Sequence, residues 1–250
     1  MKSLIILVLL GSPFLLKAQT VPVLLQEGAN AEKQFNDVRA LQYYQQALQM
    51  DTSNTSILVK CAELNCRIGD ATADPAARAS YFGTAKNLAD KALLAGPGTA
   101  EANFAMAMVM GKLASVEKEN RILVAEVNQV YLFAKKALAI DPDFAKAAFI
   151  LGKWHYQILS LPWFKKAALR TFYRGLPPAN MDSAVFYLEK CRRLDSYFLP
   201  AYLTLAQAYQ YQNLPRQEID VLNRLVRMPN RNAEDVTVKA EGQKLLSSLE

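Results

Sequence analysis

Histidine occurs once in this 250-residue chain, at His155, and cysteine three times, at Cys61, Cys66 and Cys191. That scarcity bounds the chemistry. No CxxC pair exists, and no second histidine can join His155, so neither a metal centre nor a metal-dependent reaction is expected. No Ser, Cys or carboxylate stands beside His155 in a nucleophilic arrangement, and no glycine-rich phosphate loop occurs. The expectation is a protein that is not an enzyme and carries no cofactor. Glycine (10) and proline (11) are too few for disorder to be the default. Beyond the first twenty residues there is no uninterrupted apolar run of membrane-spanning length. The formal charge of +6 is mild and spread along the chain. It permits an acidic partner, but there is no broad basic face or motif for nucleic acid.

The first twenty residues form a separate object. Lys2 supplies a short positive end, Leu4 to Leu16 an apolar run, and Lys17-Ala18-Gln19 a polar exit. This is the pattern of a secretory signal peptide, residues 1–18, cleaved after Ala18. Leu16, at the minus-three position, is larger than the preferred small residue, so an uncleaved anchor is the alternative. No Cys follows the run, which argues against a lipoprotein anchor. The expected location is periplasm or cell envelope, with no stable transmembrane segment after cleavage. An odd cysteine count in an exported chain leaves at least one thiol free. Cys61 and Cys66, five apart, fall on different faces of a helix, so buried free thiols are expected rather than a disulfide framework.

What the chain does contain is repetition. Ala40, Tyr44 and Ala47 recur 45 residues later as Ala85, Ala89 and Ala92, and 45 later again as Val130, Ala134 and Ala137. Ala184, Leu188 and Cys191 follow after 54, and Glu218, Leu222 and Leu225 after 34. Each set precedes a turn, such as DTSN at 51 or DPDF at 141. A second series precedes each set: Leu24/Gly28, Leu58/Cys61/Ala62, Asn103/Met106/Ala107, Ala148/Leu151/Gly152 and Tyr202/Leu205/Ala206. Such periodicity is the signature of a solenoid. The pattern resembles the tetratricopeptide repeat, and Glu218 departs from it by standing where that motif prefers alanine.

The predicted fold is all-α: a right-handed superhelix of about five tetratricopeptide-like helix pairs with insertions and a C-terminal capping helix. One solenoid domain covers 19–250. The departures from the ordinary spacing place insertions of 11, 11 and 20 residues between the two helices of the middle three units. The first contains an Asp74-Pro75 helix start. The second extends a helix, with its turn at Ser115 to Glu119. The third, an amphipathic element at 159–181, carries Trp163, Phe164, Phe172 and Tyr173 beside Lys165, Lys166, Arg170 and Arg174, and Asn180 or Asp182 caps the helix after it. In the last helix, Ala233 to Leu249, Leu245, Leu246 and Leu249 are expected to face in, and Glu234, Asp235, Lys239 and Glu241 out.

Residues 148–191 carry a more specific likeness. Gly152-Lys153-Trp154, Trp163, the corner from Phe172 to Pro178 and the helix after it resemble the regulator of microtubule dynamics family, over roughly residues 30–230. Lys153 stands where that family has arginine, and the corner is longer. The resemblance implies a tetratricopeptide-like fold and a protein-interaction role, in a bacterial, exported member. The family's eukaryotic members are associated with microtubules, organelle surfaces and protein contacts, and the leader argues against a microtubule role here.

The function expected is a non-catalytic module that binds protein or peptide. The alternative is a structural or self-associating component of a cell-envelope assembly, a homo-oligomer included. The candidate partner-binding residues are Lys166, Arg170, Phe172, Tyr173 and Arg174 on the insertion, and Gln207, Gln210 and Tyr211 on the first helix of unit five. Trp154 and Trp163 are expected to seal the insertion onto the solenoid. His155 is expected to be a core or edge histidine hydrogen-bonded to the inserted element.

Overall fold

A computed structural model describes residues 20–161 and 176–249. Eleven helices occur among them: α1 (Val21–Lys33), α2 (Asp37–Met50), α3 (Thr55–Ala71), α4 (Pro75–Ala95), α5 (Ala100–Val116), α6 (Asn120–Ile140), α7 (Ala145–Ser160), α8 (Met181–Leu194), α9 (Leu199–Tyr211), α10 (Pro215–Arg227) and α11 (Ala233–Ser247). Consecutive helices pack as five antiparallel-type pairs, α1 with α2 through α9 with α10, and α11 closes the end against α9 and α10. The architecture is the all-α, paired-helix solenoid with a distinct C-terminal helix.

Local chemistry explains most boundaries. Asn36, Asn54, Asp74, Thr99, Asn180 and Asn232 each cap a helix by accepting a backbone N–H from three residues on. Pro75 and Pro215 occupy first helical positions, where no N–H is needed. The turn between α5 and α6 falls at residues 117–119. The two pairs with ordinary spacing, α1–α2 and α9–α10, close through the same device. Phe35 (φ 59°) and Asn213 (φ 57°) adopt the left-handed conformation. The N–H groups of Asn36 and Leu214 then reach back to the carbonyls of Ala31 and Tyr209.

The helices approach closely because their seams are small. Ala40, Ala47, Ala85, Ala89, Ala92, Ala134 and Ala137 are fully buried. At Gly152 an added Cβ would lie 2.7 Å from Leu188 Cγ and 3.0 Å from the backbone nitrogen of Leu188. Each repeat set therefore supplies one surface of a helix pair, and the core is a row of buried clusters joined through partly buried residues such as Leu48, Leu88 and Ile150.

The expectations for α11 divide: Glu234 and Glu241 are exposed and Lys239 partly so. Asp235 is a correction: it is 2% exposed. Its N–H is taken by the Asn232 side chain and its carboxylate accepts the N–H of Arg231, so it completes the helix cap rather than facing solvent. Leu246 is buried, with Leu245 and Leu249 partly so.

Glu218 is buried on α10, and its Oε1 has no hydrogen-bond partner among the described residues. Burial holds its carboxyl above the 4.5 of an unperturbed glutamate. The folded state therefore bears a cost at pH 7 that disappears as pH falls through the raised value. Glu218→Ala, which restores the residue found at Ala40, Ala85 and Ala184, should raise stability at pH 7 by about 1 kcal/mol, and by less at pH 4. Urea unfolding at both pH values measures this. A destabilised variant at pH 7 would show that the carboxylate is satisfied.

Candidate functional site

The inner faces of α3, α5 and α7 curve around a groove of about 1170 Å³. Its far wall is the N-terminal half of α6, through Leu123, Val124 and Val127. Glu32 of α1 marks one end, and Asp195, Phe198, Arg231 and Glu234 mark the other. The lining mixes apolar side chains (Phe104, Met108, Phe149, Ile150, Ile158) with a row of charges. This is the composition of a binding surface that excludes water locally and orients its ligand with a few polar groups.

The groove's polar residues follow the 45-residue register. Glu63, Met108 and Lys153 occupy one repeat position, Arg67, Lys112 and Gln157 a second, Asp70, Ser115 and Ser160 a third, and all nine line the groove. Sequence reasoning did not single these residues out. The signal was available: the repeat that identified the core seams also fixes which residues stand on the opposite, inward face.

Most of the charges neutralise one another. Arg67 Nη2 lies 2.7 Å from Glu32 Oε2 and 2.9 Å from Asp37 Oδ1. Lys60 Nζ is 3.3 Å from Glu32 Oε1, and the Tyr44 hydroxyl donates to the same oxygen at 3.0 Å. Burial pushes the Glu32 carboxyl up, but Lys60 and Arg67 outweigh it and hold it below the usual range. Lys146 Nζ is 2.5 Å from Glu63 Oε1 and 5.5 Å from the centre of the Phe104 ring. Burial again raises, and Lys146 and Lys60 more than reverse, the Glu63 carboxyl. Lys112 is bound to Asp70, and Arg231 Nη2 is 3.1 Å from Asp195 Oδ2. Lys153 differs: its Nζ stands 5.6 Å from the Phe149 ring centre, with no carboxylate within ion-pair distance among the described residues. Burial, then the charge of Lys112, push its ammonium below the ordinary lysine range.

The candidate residues fall in two places. Lys166, Arg170, Phe172, Tyr173 and Arg174, with Trp163, lie outside the described residues. The segment that holds them leaves from Leu161, on the groove wall, and returns at Leu176, against the core cluster that contains Trp154. On α9, the Gln207 amide donates to Glu241 of α11 at 3.1 Å, while Gln210 and Tyr211 are exposed. None of the three lines the groove.

His155 is 5% exposed. Its Nδ1 accepts the N–H of Asn180 at 3.3 Å, where the inserted segment re-enters the fold. Its ring stacks on Tyr187 and meets Trp154 and Tyr131 edge-on. Burial lowers its pKa, consistent with a neutral acceptor. Trp154 is likewise internal and donates from Nε1 to the Val127 carbonyl at 2.9 Å. Cys61, Cys66 and Cys191 are buried free thiols, each pushed up to about 12 by burial. Among the described residues no group of three or more His, Cys, Asp or Glu is placed to hold a metal, and no helix is long and apolar enough to cross a membrane.

Comparison with known proteins agrees with this geometry. The family model described as Regulator of microtubule dynamics protein 1-3 matches residues 22–250. Regulator of microtubule dynamics protein 1 of Mus musculus is 21% identical over 130 residues, 52% of this chain and 43% of the mouse protein. Regulator of microtubule dynamics protein 2 of Homo sapiens is 22% identical over 173 residues, 68% of this chain and 41% of the human protein. The chain thus spans less than half the length of these relatives. Among solved structures, a thermophilic tetratricopeptide-repeat protein of Thermus thermophilus superposes with a TM-score of 0.65 at 13% identity, over 91% of this chain and all of that one. That likeness concerns the fold alone.

Proposed function

Since the chain belongs to the regulator of microtubule dynamics protein 1-3 family, we propose that it is a non-catalytic scaffold, exported to the cell envelope, that holds an extended protein segment in its concave groove. The observation that carries the reading is the groove itself: a trough on the first helices of three successive units, lined by both apolar and charged side chains. A helical-repeat surface of this kind recognises by shape and needs no reacting group. The leader, with Lys2, Leu4 to Leu16 and Ala18, supports export. The relatives' names speak of microtubules, but they belong to proteins more than twice as long as the matched region, and an exported chain would not meet that partner. The insertion residues Lys166, Arg170, Phe172, Tyr173 and Arg174 join the proposal as a rim contact, because both ends of their segment lie beside the groove wall or its supporting cluster.

Selection of a phage-displayed library of twelve-residue peptides against the chain tests the groove. Selected peptides should lose about tenfold or more in affinity when Gln157→Trp fills the trough, since the exposed Gln157 side chain lines it. Alanine at Phe172 and Tyr173 should cost less. Binding untouched by Gln157→Trp but lost with the insertion pair would move the interface to the rim. N-terminal sequencing of the envelope protein is expected to begin at Gln19, and full-length chain confined to the cytosol would remove the export half of the reading.

A further inference from the structure

Among the described residues the groove's charge pairing leaves two lining cations without a carboxylate: Lys118, exposed in the loop between α5 and α6, and Lys153, the one withdrawn from solvent. Arg67, Lys112, Lys146 and Arg231 each have a carboxylate within ion-pair distance. Glu117 turns its carboxylate onto the backbone N–H groups of Lys118 and Glu119, both at 2.7 Å, and is spent in the loop. Lys153 lies on α7, partly buried, with its ammonium over the Phe149 ring. The residues beyond the described ones cannot supply the missing partner from the insertion, because positions 162–175 contain no Asp or Glu. The acid nearest in effect is Glu234, in the first turn of α11. It acts on both Lys112 and Lys153 across the groove without closing an ion pair. A cation withdrawn from water costs free energy unless a counter-charge joins it, and burial already pushes the Lys153 ammonium down. Met108 and Ile150, beside it on the groove wall, offer apolar contact on either side of that charge.

Resting on the groove reading above, we propose that Lys153 is the point at which the groove recognises an aspartate or glutamate side chain of an extended peptide. A carboxylate there gives Lys153 the counter-charge that Arg67, Lys112 and Lys146 already have, and the apolar walls hold the residues that flank it. Glu234 occupies the opposite lip and competes weakly for the same ammonium. The ligand is therefore an acidic residue set within apolar ones, rather than a uniformly acidic stretch, because Glu32, Glu63 and Asp70 already occupy Arg67, Lys146 and Lys112.

The test uses the full chain and two fluorescent pools of ten-residue peptides, randomised alike except for a central Glu in one and Gln in the other. Fluorescence anisotropy should show the Glu pool bound about tenfold more tightly, the size expected of a hydrogen bond between charged groups. Lys153→Met should bring the two pools to within about twofold of each other, while Lys153→Arg, keeping the charge, should preserve most of the preference. Glu234→Gln removes the competitor from an exposed position and should tighten the Glu pool severalfold without changing the Gln pool. Equal binding of both pools to the unsubstituted chain would overturn the Lys153 proposal and leave the groove reading standing. Binding of neither pool would overturn both. Binding of sodium oleate with neither peptide pool bound would overturn the peptide as occupant and make it an amphiphilic acid. A preference unchanged by Lys153→Met would place the recognition elsewhere.

Discussion

Trp154→Ala should lower the unfolding free energy by about 4 kcal/mol, and Trp154→Phe by only about 1–2 kcal/mol. Trp154 is 3% exposed and belongs to the core cluster shared by α3 to α7. Its ring meets Tyr131 at 4.8 Å between centroids and His155 at 5.1 Å, so truncation leaves a void bounded by two rings that cannot collapse into it. The hydrogen bond to the Val127 carbonyl is the smaller part, which is why phenylalanine should recover most of the loss. For a chain of this length the alanine variant should melt roughly 8–16 °C lower. Leu176 and Ala179 pack into the same cluster, so the loss should also loosen the return of the inserted segment, read as faster hydrogen exchange at residues 176–180. A loss below 1 kcal/mol would mean that the cluster is held elsewhere.

The second large effect comes from adding one carbon. Gly152→Ala should cost about 3 kcal/mol, although alanine is the better helix former. The new Cβ would fall 3.0 Å from the Leu188 nitrogen and 3.1 Å from the Ala184 carbonyl oxygen, both backbone atoms of α8. No rotamer change relieves that contact, so α7 and α8 must separate. Gly242→Ala is the matched control. Its Cβ would also clash, at 2.3 Å, but with Leu225 Cδ2, the far end of a flexible side chain. Urea unfolding should therefore rank Gly152→Ala well below Gly242→Ala. The reverse order would show that the α7–α8 seam has slack.

These two residues also mark how far the sequence could be read. Gly152 belongs to the repeat series, whose small and large apolar residues recur because every pair must solve the same packing problem, and Trp154 stands two residues on, in the stretch that carries the family likeness. The seams, the Asp74-Pro75 start, the turn at 117–119 and the closing helix α11 were accessible for that reason: each depends on residues close in the chain. The groove charges depend on something else. Lys153, Lys112 and Glu63 lie on the inner face, where no packing rule fixes residue type, and their meaning appears only when three helices align and the pairings can be counted. Asp235 illustrates the same limit in miniature. Its polarity suggested solvent, but its place three residues after Asn232 committed its carboxylate to the backbone. The outward-facing reading weighed side-chain chemistry without the cap geometry.

The lengths of the helices shape the banks of the groove. The outermost pairs use helices of 13 or 14 residues, about 20 Å long, while α4 and α6 run to 21, about 31 Å. The extra turns of α6 do not lengthen the floor. They rise past it, and Leu123, Val124 and Val127 face back over it. Among the described residues the trough thus has one raised bank. On the groove reading proposed above, a bank of that height favours a partner laid in sideways along the first helices, such as the middle of an exposed loop, over a terminus threaded from one end.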